Sequence, residues 1–140
     1  MASILAGPPK ENALAGEPIL LIDDHAPTCK LVRLLLEGEG YEVQTASNAD
    51  AALARLETFR PRVILMDIQL PGMDGLELTR KLKADPAHSG VTIIAFTSYA
   101  MRGDEERMLA AGCDGYITKP IDTRRLARRI AGYLSGVTSD

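Results

Sequence analysis

Apolar residues along this chain fall into two patterns. Residues 19–22, 63–66 and 91–96 form short, nearly unbroken apolar runs. Such runs fit strands buried on both faces of a parallel sheet. Residues 41–46 alternate, as an edge strand does, and residues 115–118 make a fifth, shorter strand. Helical spacing fills the gaps. Residues 28–37 carry Leu31, Val32, Leu34, Leu35 and Leu36 and are closed by Gly38 and Gly40. Ser47 or Asn48 caps a helix over residues 49–58, with Ala52, Leu53 and Leu56 inward. Asp74, with Glu77 three residues on, opens a third helix that reaches about Lys83 and turns Leu78 and Leu82 inward. Residues 102–111 form a fourth helix, stopped by Gly112. Asp122 caps the last, whose inner face is Leu126, Ile130, Tyr133 and Leu134.

Five alternating βα units predict an α/β fold, a parallel sheet with helices on both faces. Strand order 2-1-3-4-5 is the common doubly wound solution for five strands, with the switch point between strands 1 and 3. The domain is expected over residues 18–136. Residues 1–17, with Gly7-Pro8-Pro9, read as a flexible N-terminal extension or a linker, with at most a helical turn around residues 12–15. Residues 137–140 read as a tail.

Length and composition agree with one globular domain. The 140 residues are 46% hydrophobic and 25% charged, with a net charge of −3. That balance gives no footprint for nucleic acid or membrane, and no apolar run is long enough to cross a bilayer. No signal peptide is visible, so a cytoplasmic protein is expected. Cys29 and Cys113 form no C-x-x-C and are expected to be reduced thiols, Cys113 as a small buried residue.

The chemistry lies where the apolar runs stop. Val63 to Met66 run straight into Asp67, followed by Pro71-Gly72; the first run ends in Asp23-Asp24, the fourth in Thr97-Ser98, the fifth in Lys119-Pro120. Carboxyl ends of strands in open α/β sheets are where ligands bind. Strand order 2-1-3-4-5 gathers Asp23, Asp24 and Asp67 in one crevice, with Thr97 and Lys119 beside it. Three crowded carboxylates cannot all stay ionised without a cation. Hard oxygen ligands with room for water suit Mg²⁺. A Lys charge and a Thr hydroxyl complete a site for the equatorial oxygens of a phosphoryl group in transit. A carboxylate can itself be the nucleophile, and Asp67, the lone acid at a strand end, is the candidate. The Lys119–Pro120 bond is expected to be cis, in a tight turn that brings the ammonium back over the acids.

These positions, with Gln69-Leu70-Pro71-Gly72-Met73-Asp74-Gly75 after the acceptor, resemble the receiver domain of two-component response regulators, whose fold is flavodoxin-like. The resemblance covers about residues 18–134. The segment from Met101 to Tyr116 resembles stand-alone DivK-like regulators and the receivers of hybrid histidine kinases. The resemblance implies that Asp67 takes a phosphoryl group from a histidine kinase or a histidine phosphotransfer protein. It implies Mg²⁺ on Asp24, Asp67 and the Gln69 carbonyl, with Asp23 acting largely through water. It pairs Lys119 with the acyl phosphate, moves Thr97 towards it and turns Tyr116 inward as a switch. Gln69 and Tyr99 would shade the attacking water and so modulate hydrolysis. The surface of helix 4, strand 5 and helix 5 would meet a downstream protein, the chain itself being a monomer or weak dimer that binds no nucleic acid. The only reactions catalysed would be its own phosphorylation and dephosphorylation.

Other readings fit less well. A phosphohydrolase with an aspartyl nucleophile would want an acid two residues after Asp67, where Gln69 stands. A flavin module would need hydroxyl- and Gly-rich phosphate loops, where Asp23-Asp24-His25 would repel phosphate. His25 fits a surface imidazole capping the next helix better than a metal ligand. His88 sits in a loop. Arg124, Arg125, Arg128 and Arg129 form a stripe that fits a solvated face paired with acids such as Glu105 and Glu106, or a face for a partner.

Overall fold

The structure, a computed structural model, describes residues 16–98 and 103–135. The expected helical turn at 12–15, most of the extension, the tail and Tyr99 lie outside these residues. The elements are β1 (Pro18–Ile22), α1 (Ala26–Gly38), β2 (Glu42–Ala46), α2 (Ala49–Leu56), β3 (Val63–Asp67), α3 (Gly75–Ala84), β4 (Thr92–Thr97), α4 (Asp104–Ala111), β5 (Gly115–Thr118) and α5 (Leu126–Ser135). All strand pairs are parallel, and the order is β2-β1-β3-β4-β5, the doubly wound order read from the sequence.

Alternation along the strands divides the core in two. Leu20, Ile22, Ile64, Met66, Ile93 and Ala95 pack on one face with Leu56, Leu78, Leu82 and Met108. Ile19, Leu21, Val63, Leu65, Ile94 and Phe96 pack on the other with Val32, Leu36, Leu126 and Ile130. The unbroken apolar runs are thus strands with no wet face. Each fully buried Leu or Ile contributes roughly 1.5–3 kcal/mol relative to exposure. Cys113 is buried in the first of these cores.

The local signals act as capping chemistry dictates. Asn48 accepts from the Ala51 N–H at 2.7 Å. Asp74 and Glu77 form a reciprocal capping box. Gly112 closes α4 in a left-handed conformation. Leu31 and Leu34 are exposed, 39% and 63%, because α1 buries only one stripe against the sheet. The last helix begins at Leu126. Asp122 caps the turn that leads into it: its carboxylate accepts the Arg124 N–H at 3.1 Å, and its carbonyl takes the Arg125 and Leu126 N–H groups. The His25 side chain caps no backbone N–H; its Nδ1 lies 2.7 Å from the Thr28 hydroxyl. Among the described residues no ion pair joins the α5 arginines to Glu105 or Glu106, and Arg129 donates to the Tyr116 carbonyl at 2.9 Å.

The amino-terminal edge of the sheet is tied by Lys83. Its ammonium donates to the Val91 carbonyl at 2.7 Å and lies 3.0 Å from Asp114 Oδ2. That same carboxylate oxygen accepts the Ile93 N–H at 2.8 Å, and the Asp114 N–H returns to the Ile93 carbonyl at 2.7 Å. The Lys83 stem lies against Gly112, where an added Cβ would come within 2.9 Å of it.

Candidate functional site

At the carboxyl edge, β1 and β3 are neighbours, and each delivers acid as it leaves the sheet. One carboxylate oxygen from each of Asp23, Asp24 and Asp67 lies within 4.8 Å of the others. Asp23 and Asp67 are buried, and Asp24 is exposed at the mouth. Asp23 is fully engaged: Oδ1 accepts the His25 N–H at 2.9 Å, and Oδ2 lies 2.9 Å from Lys119 Nζ. Asp67 Oδ1 accepts the Gln69 N–H at 2.9 Å, and its Oδ2 is 3.6 Å from Lys119 Nζ. Lys119 is delivered by the segment after β5, where its N–H donates to the Thr97 carbonyl at 2.7 Å and the Lys119–Pro120 peptide bond is cis.

The Lys119 ammonium is shared between the Asp23 and Asp67 carboxylates. Burial pushes the Asp67 carboxyl above its ordinary range and Asp23 adds to the push, while the Gln69 N–H and Lys119 oppose it. A hard cation among these oxygens would relieve that cost, and an all-oxygen donor set with an open mouth fits Mg²⁺. Burial likewise pushes the Cys29 thiol up; its Sγ donates to the Asp23 carbonyl at 3.2 Å.

The remaining sequence candidates divide. Thr97 ends β4, buried, one residue beyond the Asp67–Phe96 pair. Tyr116 is half-buried against the core beside α4, over a groove it lines with Glu105, Leu109, Arg129 and Tyr133. Gln69 is exposed beside Asp67. His88 lies far from the acids, with Nδ1 3.2 Å from Asp85 Oδ2. Two contributors escaped the sequence reading. Gly75 lets α3 approach β3, since a Cβ there would overlap the Asp67 carbonyl oxygen and sit 2.6 Å from Ile68 Cα; the Asp74-Gly75 pair was the available signal. Phe96 puts its ring under Lys119 Nζ, 5.3 Å from the centroid, and nothing in sequence spacing reveals a ring's direction.

Comparison with known proteins agrees with this geometry. The response regulator receiver domain model matches residues 19–131. The polar-differentiation response regulator DivK of Brucella anthropi is 43% identical over 116 residues, 83% of this chain and 94% of that protein. A CheY-like receiver domain protein from Methanospirillum hungatei superposes with a TM-score of 0.80 at 35% identity, covering 87% of this chain and 96% of that one. The receiver domain of a sensor histidine kinase from Pseudomonas aeruginosa, solved with a magnesium ion coordinated in its active-site cleft, gives 0.77 at 35% identity, covering 87% and 99%. Among the described residues no helix is long and apolar enough to cross a membrane. Acid-ended strands, the β2-β1-β3-β4-β5 sheet and these likenesses agree: the chain belongs to the response regulator receiver domain family of two-component signalling and is DivK-like.

Proposed function

We propose that this chain is a phosphoacceptor switch that takes a phosphoryl group on Asp67 from a histidine kinase or histidine phosphotransfer protein. One observation carries the reading: Asp67, the acid at the end of the central strand, has the Lys119 ammonium 3.6 Å from Oδ2 and the Asp23 and Asp24 carboxylates within reach of a shared cation. An Asp67 oxygen attacks phosphorus, the phosphorus–nitrogen bond of the donor breaks, and the donor imidazole leaves. Mg²⁺ would be held by Asp24, Asp67 and the Gln69 carbonyl, and when bound it neutralises charge on the phosphoryl oxygens. Asp23, both of whose oxygens already have partners, acts at one remove. Lys119 pairs with the new phosphate.

The added charge, up to about −2, then biases a local two-state element. Thr97 moves towards the phosphate, and Tyr116 turns into the space behind β4. The surface of α4, β5 and α5 is the output face, and the groove there, about 440 Å³ and edged by Tyr116, gives a partner a place to bind. Output is a protein–protein contact in the cytoplasm, and the chain turns over no separate substrate. Mass spectrometry after incubation with acetyl phosphate and Mg²⁺ tests the reading. A single phosphoryl group on Asp67, absent from Asp67→Asn, is expected; label persisting on the variant would move the nucleophile elsewhere.

A further inference from the structure

We infer that Phe96 is a positioning residue, whose ring face holds the Lys119 ammonium within reach of Asp67. The inference rests on the phosphoacceptor reading and deepens it. Phe96 is fully buried in β4, paired with Asp67 on one side and Ile117 on the other, so two strands fix its ring. Lys119 has a flexible four-carbon stem, and its side chain is only 19% exposed. Its ammonium makes one short contact, to Asp23 at 2.9 Å, and a longer one to Asp67 at 3.6 Å. Those two carboxylates alone would draw it towards Asp23. The ring is the third neighbour. An aromatic face is electronegative and attracts a desolvated cation, where an aliphatic side chain would offer packing without charge compensation. The ring therefore sets how the one ammonium is shared between the two acids.

The step affected is the transfer itself. With acetyl phosphate as donor, an Asp67 oxygen forms the new phosphorus–oxygen bond, the bond from phosphorus to the bridging oxygen breaks, and acetate leaves with the electron pair. A misplaced ammonium stabilises less of the charge that develops on the phosphoryl oxygens.

The test changes the ring's charge distribution and leaves its shape nearly unchanged. The chain has two phenylalanines, Phe59 and Phe96, so in a Phe59→Leu background biosynthetic incorporation places 4-fluoro-, 3,5-difluoro- or 3,4,5-trifluorophenylalanine at position 96 alone. The rate constant for Asp67 labelling by acetyl phosphate with Mg²⁺ is expected to fall stepwise with fluorine count, roughly tenfold across the series. A purely structural ring predicts a flat series, which would overturn the inference. A second readout needs no activity: the Lys119 ε-methylene protons should be shifted upfield by the ring current and return downfield in Phe96→Leu. Lys119 protons at ordinary positions in the parent protein would overturn the geometry. Absence of any label on the parent protein would instead overturn the phosphoacceptor reading beneath it.

Discussion

Asp67 gains stability by losing its charge when no cation is near. Burial and Asp23 both push its carboxyl up, and the Lys119 ammonium beside it is shared with Asp23. Asp67→Asn should therefore stabilise the metal-free protein by about 1 kcal/mol. Urea denaturation in a chelator measures the gain, and saturating Mg²⁺ should shrink or reverse it, since the variant loses a ligand. At this scale the sequence was informative wherever a charge stopped an apolar run. Asp23, Asp24, Asp67 and Lys119 stood out because a strand has to end for a charge to follow it. Phe96 did not, because its importance depends on strand register and ring direction. His25 misled for a related reason: a polar residue before a helix has several local partners, and the backbone decides among them.

Elements carry the site only as well as they pack. The first turn of α3 lies against the end of β3, and Gly75→Ala would drive a methyl group into the Asp67 backbone. A loss of about 2–3 kcal/mol is expected, readable as a lower thermal midpoint together with slower labelling of Asp67. Thr97 tests the opposite end of the argument. Thr97→Ala should still accept phosphate on Asp67, yet amide shifts over residues 103–129 on phosphorylation should be lost; equal shifts in variant and parent would rule out the Thr97 relay. Coupling of this kind is about 1–3 kcal/mol, so partial occupancy of the active form before phosphorylation is expected. Element boundaries were legible where an acid stops an apolar run, as at the carboxyl ends of β1 and β3. They were less so at helix starts, where α4 and α5 begin later than read, because periodicity reports the buried stripe and the first turn has none.

The whole molecule should show the Asp67 effect in its pH profile. The folded-state value lies above the ordinary 3.8, so the folded protein keeps this proton to higher pH than the unfolded chain. Its contribution is complete below the ordinary value and is lost as pH rises through the folded one. Asp85 runs the other way: the Ala87 N–H, then His88, hold its carboxyl down, which favours the fold above the ordinary value. Subtracting the two stability curves isolates Asp67, and the advantage of Asp67→Asn in chelator should grow from acid towards neutral pH. A constant difference would assign it to shape instead of charge. The Lys83 tie at the far edge of the sheet has a mechanical meaning. It pins the start of β4, the start of β5 and the Gly112 end of α4 to one ammonium, while Thr97 and the first turn of α4 lie at the opposite end. Lys83→Met should leave Asp67 labelling intact while speeding hydrogen exchange at the Ile93 amide. If Thr97 moves as proposed, α4 and β5 would act as lever arms sharing a fulcrum at Lys83, and a displacement beside the acids would become a tilt, largest where the arms are free.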